Sequence, residues 1–209
     1  MGRVYNLIDI GFASLTKDEK RESFIMLDVA LKKIHEKDFK VESFDPKDIY
    51  YQDGIYFYSK VSPINKSIDS KEDVVLDNII GLSDLAFCSY LPSYDLSNGL
   101  LNGKVLNEQF DKFGSIFTIE DKNYYRSVLV DAYTNHKLPD NVYYSDYILG
   151  NEKNNNSNSN SRAYVKATEA GKLYADMMDE AAFGNTFFFV CMVTTMIIAF
   201  IGLAIIFLK

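Results

Sequence analysis

Residues Thr186 to Leu208, TFFFVCMVTTMIIAFIGLAIIFL, run for 23 residues without a charge. At ~1.5 Å per residue such a helix measures roughly 34 Å, enough to cross a hydrocarbon core of about 30 Å with some tilt. A core helix of a soluble domain is usually shorter and keeps a polar stripe, whereas this segment is apolar on every side. Thr186 and Phe187 open the expected span, Gly202 lies in its last third and Leu208 closes it. Thr194 and Thr195 are compatible with it, because their hydroxyls can return to carbonyls one turn back. Thr195 and Ala199 form a small-xxx-small pair of the kind that mediates helix–helix contact, so a helix-mediated oligomer is one expectation.

Only Lys209 follows the segment, while Arg162, Lys166 and Lys172 precede it. Basic residues stay on the cytoplasmic side of a span. The sequence therefore predicts a tail-anchored, single-pass membrane protein with its N-terminal domain in the cytoplasm and the lipid bilayer as its first partner. The N-terminus, Met1-Gly2-Arg3-Val4-Tyr5-Asn6, has no signal-peptide apolar core. Gly2 is not read as a myristoylation site, because Asn6 stands where Ser or Thr is required.

Ahead of the span, composition divides the chain. Residues 1–150 are enough for one compact cytosolic domain. Residues 151–161, NEKNNNSNSNS, hold nothing apolar to bury and read as a flexible tether. Residues 162–185 read as a juxtamembrane helix. Its Asp176, Asp179 and Glu180 would be repelled by anionic lipid, so it is expected to stand off the bilayer. Residues 186–208 are the span. The net charge of −7 and the lack of any basic run argue against nucleic acid as a partner. Cys191 lies in the span and Cys88 in an apolar stretch, which makes both small buried hydrophobes of a reducing compartment.

Within residues 1–150 the pattern predicts mainly helix with one small hairpin. Thr16-Lys17-Asp18-Glu19 is a capping box, and Phe24, Leu27, Leu31 and Ile34 follow at helical spacing, giving a helix over 17–36. Asp53-Gly54 between two Tyr/Ile/Phe runs marks a tight hairpin. Residues 62–71 read as loop. Glu72 to Leu91 is a helix apolar around most of its circumference, which places it at the centre of the domain. A short helix over 105–113, a helix capped by Thr118 and running to about Asn135, and a Tyr-rich return over 142–148 complete the domain.

Chemistry-bearing patterns are sparse. His35 and His136 have no Cys or His at ligand spacing, so zinc is not expected. His35 reads as a residue suited to a helix C-terminus. Asp45, Asp48 and Asp53 gather near the hairpin and could in principle meet a divalent ion, but loop acids mostly face water. No dinucleotide fingerprint, phosphate-binding loop or nucleophile elbow occurs. No cofactor, no metal and no catalytic residue is expected.

The stretch LDVALKKIHEKDFKVESFDPKDIYYQDGIYFY resembles three consecutive pieces of the protein-kinase large lobe: the helix before the catalytic loop, the loop itself, and the hairpin after it. Pro46 and Ile49 match the Pro and Ile of the family's H-R-D-L-K-P-x-N-I. DNIIGLSDLAFCSYL resembles the buried central helix, written D-x-x-S-L-G, with Asn78 at the Asp. VYNLIDIGFASL is compatible with the hinge between the two lobes, so the resemblance covers roughly residues 4–135. It implies a kinase-large-lobe-like fold, mainly α, whose catalytic positions are replaced. Ser43 stands for the Asp that accepts the substrate hydroxyl's proton, Val41-Glu42 for His-Arg, Asp48 for the metal-binding Asn, and Ser59-Lys60-Val61 for D-F-G. The Gly-rich loop, strand Lys and partner Glu of the small lobe have no counterpart ahead of the first helix.

The resemblance thus implies a pseudokinase-like domain and no enzyme. It is similar, distantly, to the pseudokinase-like core component of bacterial type VII secretion, in which an extracytoplasmic domain follows the span. The expected function is a non-catalytic docking or scaffold module held at a membrane for a protein partner. The alternative is an accessory subunit of a secretion or transport complex that assembles through the span.

Overall fold

A computed structural model describes residues 3–92, 94–101, 107–155 and Lys172. The expected span, with Thr186, Phe187, Thr195, Ala199, Gly202 and Leu208, lies outside these residues, as does nearly all of the juxtamembrane segment. Among the described residues no helix is long and apolar enough to cross a membrane.

The first helix, α1 (Lys17–Glu36), starts where its capping box dictates. Thr16 Oγ1 accepts the Glu19 N–H at 3.3 Å, and Glu19 Oε2 accepts the Thr16 N–H at 2.8 Å. Two orphan donors of the first turn are thereby satisfied. Phe24, Leu27, Leu31 and Ile34 are fully buried, as the spacing requires. The helix ends just before Asp38, whose φ of 59° turns the chain back.

One antiparallel sheet combines a strand from before α1 with two from after it, in the order β1 (Tyr5–Asn6), β3 (Ile49–Gln52), β4 (Ile55–Tyr58). Asp53 and Gly54 both take positive φ, 50° and 91°, which is the backbone a two-residue hairpin turn needs. Cross-strand pairing then sets Ile49 against Tyr58 and Tyr50 against Phe57. The inner row rests on α1: the Tyr58 hydroxyl donates to the Leu27 carbonyl at 3.0 Å, and the Tyr56 hydroxyl lies 3.0 Å from Ser23 Oγ. A second antiparallel pair joins β2 (Phe39–Val41) to β5 (Val61–Pro63). The first residues of the expected 62–71 loop thus belong to a strand, because Val61 and Val41 pair across the entry and exit of the hairpin.

Helix α2 (Lys71–Tyr90) is the hub. Val74, Val75, Ile79, Leu82, Leu85, Ala86 and Phe87 are buried on several of its sides. It stops at Leu91, held extended (ψ 128°) ahead of Pro92, which disfavours helical backbone in the residue before it. Beyond it, α3 (Asn107–Phe113) and α4 (Ile119–Arg126) close the far side of the domain. Phe117 stands at the centre of an aromatic cluster there, with ring centroids 6.0 Å from Phe87, 6.1 Å from Phe110 and 4.9 Å from Tyr125. The helix expected to run from Thr118 to Asn135 is continuous but not uniform. A π-helical segment, Ser127–Ala132, separates α4 from α5 (Tyr133–Asn135), and His136 in the left-handed region (φ 49°) ends it.

The Tyr-rich return opens α6 (Tyr144–Asn155), which packs against α1 and α4 and buries Tyr144 and Ile148. The helix continues through the first five residues of the expected 151–161 tether. Once its first turn is fixed by docking, each further residue adds a backbone hydrogen bond without a new nucleation cost. Residues 156–161 lie outside the described residues.

Candidate functional site

Between β2 and β3 the chain makes the loop that carries most of the positions singled out by the resemblance. It is fixed from below by Asn78, buried on α2 with 6% exposure. Asn78 Oδ1 accepts the Val41 N–H at 2.9 Å, and its amide nitrogen donates to the Val41 carbonyl at 3.0 Å. The side chain therefore pairs with Val41 as another strand would, so the backbone entering the loop leaves no buried polar group unpaired.

The same Oδ1 lies 3.0 Å from His35 Nε2. An amide oxygen only accepts, so Nε2 carries the proton, and Nδ1 must accept from the Tyr143 hydroxyl at 2.9 Å. Burial holds the His35 pKa below its ordinary value, although the Asn78 bond works the other way; the Lys71 charge adds to the lowering. His35 is thus a neutral junction between α1, α2 and the chain ahead of α6, and not merely the helix-terminal residue the sequence suggested. Its partners are 43 and 108 residues away, a distance no local pattern reveals.

The loop itself is closed on one carboxylate. The Ser43 hydroxyl donates to Asp48 Oδ2 at 2.6 Å, and Lys60 Nζ donates to the same oxygen at 2.8 Å. Ser59 holds the other side of Asp48: its backbone N–H and its hydroxyl both donate to the Asp48 carbonyl, at 3.0 and 2.8 Å. Lys60, followed by Ser43, keeps the Asp48 carboxyl below the usual range. Within the loop, the Asp45 side chain accepts the Lys47 N–H at 2.9 Å, and the Asp45 carbonyl accepts the Asp48 N–H at 2.8 Å. Pro46 is buried, and its carbonyl accepts the Leu7 N–H at 3.2 Å, tying the N-terminal segment over the loop. The structure thus brings Ser43, Asp48 and Ser59 together, places Pro46 beside them, and sets Asn78 beneath the strand that leads in.

Asp53 is an exposed turn residue with its own left-handed backbone, spent on the hairpin. Among the described residues no group of three His, Cys, Asp or Glu converges as a metal site would need. The Ser43 hydroxyl has the Asp48 carboxylate as partner, and both nitrogens of the His35 imidazole are engaged elsewhere, with Asn78 and Tyr143.

Two further residues shape the loop: Gly81, which the sequence reading gave no role, and Lys60, which it named only as part of the Ser59-Lys60-Val61 stretch. A Cβ at Gly81 would lie 2.4 Å from Phe44 Cδ2, far inside contact distance. Gly81 therefore exists to admit the Phe44 ring, which goes on to meet Tyr58 edge-on at 5.6 Å. Lys60 supplies the cation of the Asp48 pair. The signal for Gly81 was a glycine inside a buried helix, which calls for a close-approach explanation.

Beside the loop a cleft of about 510 Å³ opens between residues 42–45, one side of α2 and the turn at 98–100. Glu42, Asp45, Asp77 and Asp84 give it an acidic lining. Burial, with Asp73 nearby, raises the Asp77 pKa. Deeper in α2, Cys88 Sγ lies 3.6 Å from Asp84 Oδ1, and burial, with that carboxylate, pushes its thiol up to about 12. Such a thiol is inert at neutral pH. No family model, no curated protein and no solved structure matches the chain.

Proposed function

We propose that this protein is a non-catalytic docking or scaffold module, a pseudokinase-like domain of the large-lobe type held at a membrane by its C-terminal segment to engage a protein partner. The observation that carries the reading is the closed Ser43–Asp48–Lys60 contact. Where the kinase resemblance has a proton-accepting Asp, a hydroxyl donates instead. Where it has a metal-binding Asn, a carboxylate is already neutralised by a lysine. Phosphoryl transfer needs a base and bound metal ions at those places, and the loop's own side chains have consumed both opportunities.

Two features support the large-lobe part of the reading. Asn78, aligned with the central helix's Asp, ties that helix to Val41, aligned with the first residue of the catalytic-loop motif. Phe44, aligned with the motif's Leu, gains its volume where Gly81, aligned with the helix's Ser, gives it up. Enlargement on one element and reduction on the other is what a retained packing relationship requires.

The test is partner capture by in-cell crosslinking, comparing the full chain with one whose residues 186–208 are replaced by an unrelated hydrophobic helix. A docking module keeps its partner after the swap. Loss of every crosslink on swapping the span would reject docking and favour an accessory subunit that assembles through the span.

A further inference from the structure

The sheet of β1, β3 and β4 rests on α1 through its inner row, in which Ile49, Tyr56 and Tyr58 are buried. Strand alternation turns the neighbouring residues the other way. The register sets Asn6, Tyr50 and Phe57 in one line across that outer face, and Gln52 and Ile55 in the next. All five stay partly exposed. The Tyr50 and Phe57 rings stack with centroids 5.8 Å apart, and Val4, just ahead of β1, is 49% exposed. An antiparallel sheet that faces water on one side normally makes that side polar. Here the row holds two amides among aromatic and aliphatic side chains, and no charge.

Charge says what can cover this face. The chain carries a net charge of −7, so two copies repel each other wherever their acidic surfaces meet. On the outer face they can close without that cost. Charges begin at its margins, with Asp53 in the turn and Lys60, which Asp48 neutralises. Its polar groups also match themselves. A tyrosine hydroxyl and a glutamine amide each donate and accept, so either can pair with its own copy. Among the described residues neither the Tyr50 hydroxyl nor the Gln52 amide has a hydrogen-bond partner. We propose that this face binds the same face of a second copy of the chain, in a twofold interface. The inference rests on the sheet face alone and stands whether or not the docking reading holds.

The symmetry picks out one residue. In a twofold interface the side chain nearest the axis meets its own copy. The strand order β1-β3-β4 puts β3 in the middle, and Tyr50 stands between Asn6 and Phe57 in the central line. Tyr50 therefore faces Tyr50 of the second copy, with Phe57, Ile55 and Val4 supplying apolar area around it. The face is small: a standard interface takes roughly 20–30 residues from each side. Association is accordingly weak and strongly dependent on concentration.

Sedimentation equilibrium of the full chain in density-matched detergent measures the association. The wild type is expected to pass from monomer to dimer as its concentration rises to several hundred micromolar, and to go no further. Tyr50→Lys and Tyr50→Glu should each raise the dissociation constant about tenfold or more by setting like charges against each other. An equimolar mixture of the two should dimerise again, a rescue that misfolded chains could not give. If the Tyr50 variants fail to fold, Gln52→Glu serves, since that side chain has no partner to lose; it should weaken the dimer in the same way. Replacing residues 186–208 with an unrelated hydrophobic helix should leave the dissociation constant unchanged. A wild type that stays monomeric, charge variants that dimerise as tightly as the wild type, a mixture without rescue, or a dimer lost with the span would overturn the proposal.

Discussion

Gly81 and Phe44 occupy one another's space: a β-carbon on Gly81 would come 2.4 Å from the Phe44 ring. The loop at residues 42–48 is therefore seated on α2 by a size match as well as by the Asn78 hydrogen bonds. Gly81→Ala is expected to destabilise the domain by about 1–3 kcal/mol through overpacking, despite alanine's better helix propensity. Phe44→Leu in the same chain should recover much of that loss. Urea denaturation of the two single variants and the double variant checks it, and strict additivity would show that the two residues do not share the space.

The Asn78–His35 contact gives a spectroscopic prediction. Wild-type His35 should titrate below its ordinary pKa by NMR, as the Nε2–H tautomer. Its stabilising contribution is then complete above the unfolded value and lost as pH falls through the depressed folded value. Asn78→Asp places a carboxylate on Nε2–H and should move the His35 pKa upward. It should also cost about 1–3 kcal/mol, because the Val41 carbonyl loses its buried donor. An unmoved His35 resonance would mean that the ring does not face residue 78.

Asp48 predicts a second pH effect with the same sign. Its carboxyl is held below the usual carboxylate range by Lys60 and Ser43. The stability it contributes is present above the unfolded carboxyl value and lost as acid protonates the folded group. Lys60→Met should therefore raise the Asp48 titration midpoint, followed by carboxyl-carbon NMR, while changing the melting temperature little, because Lys60 is exposed. A midpoint unaffected by the substitution would leave the closed loop without its cation.

Local signals in the sequence were legible and long-range ones were not. The capping box at Thr16, the apolar spacing of α1, the Asp53-Gly54 hairpin and the all-round apolar α2 each depend on residues within a few turns of each other. The β2–β5 pair did not announce itself, since two three-residue strands carry too little alternation to read. The π-helical segment leaves the apolar pattern of Val128, Leu129 and Ala132 intact, so nothing in spacing separates it from an α-helix. In the candidate site, Ser43, Asp48 and Asn78 drew notice only through their place in the kinase resemblance. That Lys60 would neutralise Asp48, or that Gly81 would yield to Phe44, depends on contacts that only the folded chain creates.

The proposed non-catalytic reading requires that the closed Ser43–Asp48–Lys60 loop bind no nucleotide, and Mg·ATP binding by the full chain tests it most directly. A ligand at 100 times its dissociation constant stabilises a folded domain by about 2.7 kcal/mol, a shift easily seen in thermal unfolding. With Asp48 engaged by Lys60 and Ser43, millimolar ATP with magnesium should leave the melting temperature unchanged. A magnesium-dependent rise of several degrees, abolished by Asp48→Ala, would contradict the account.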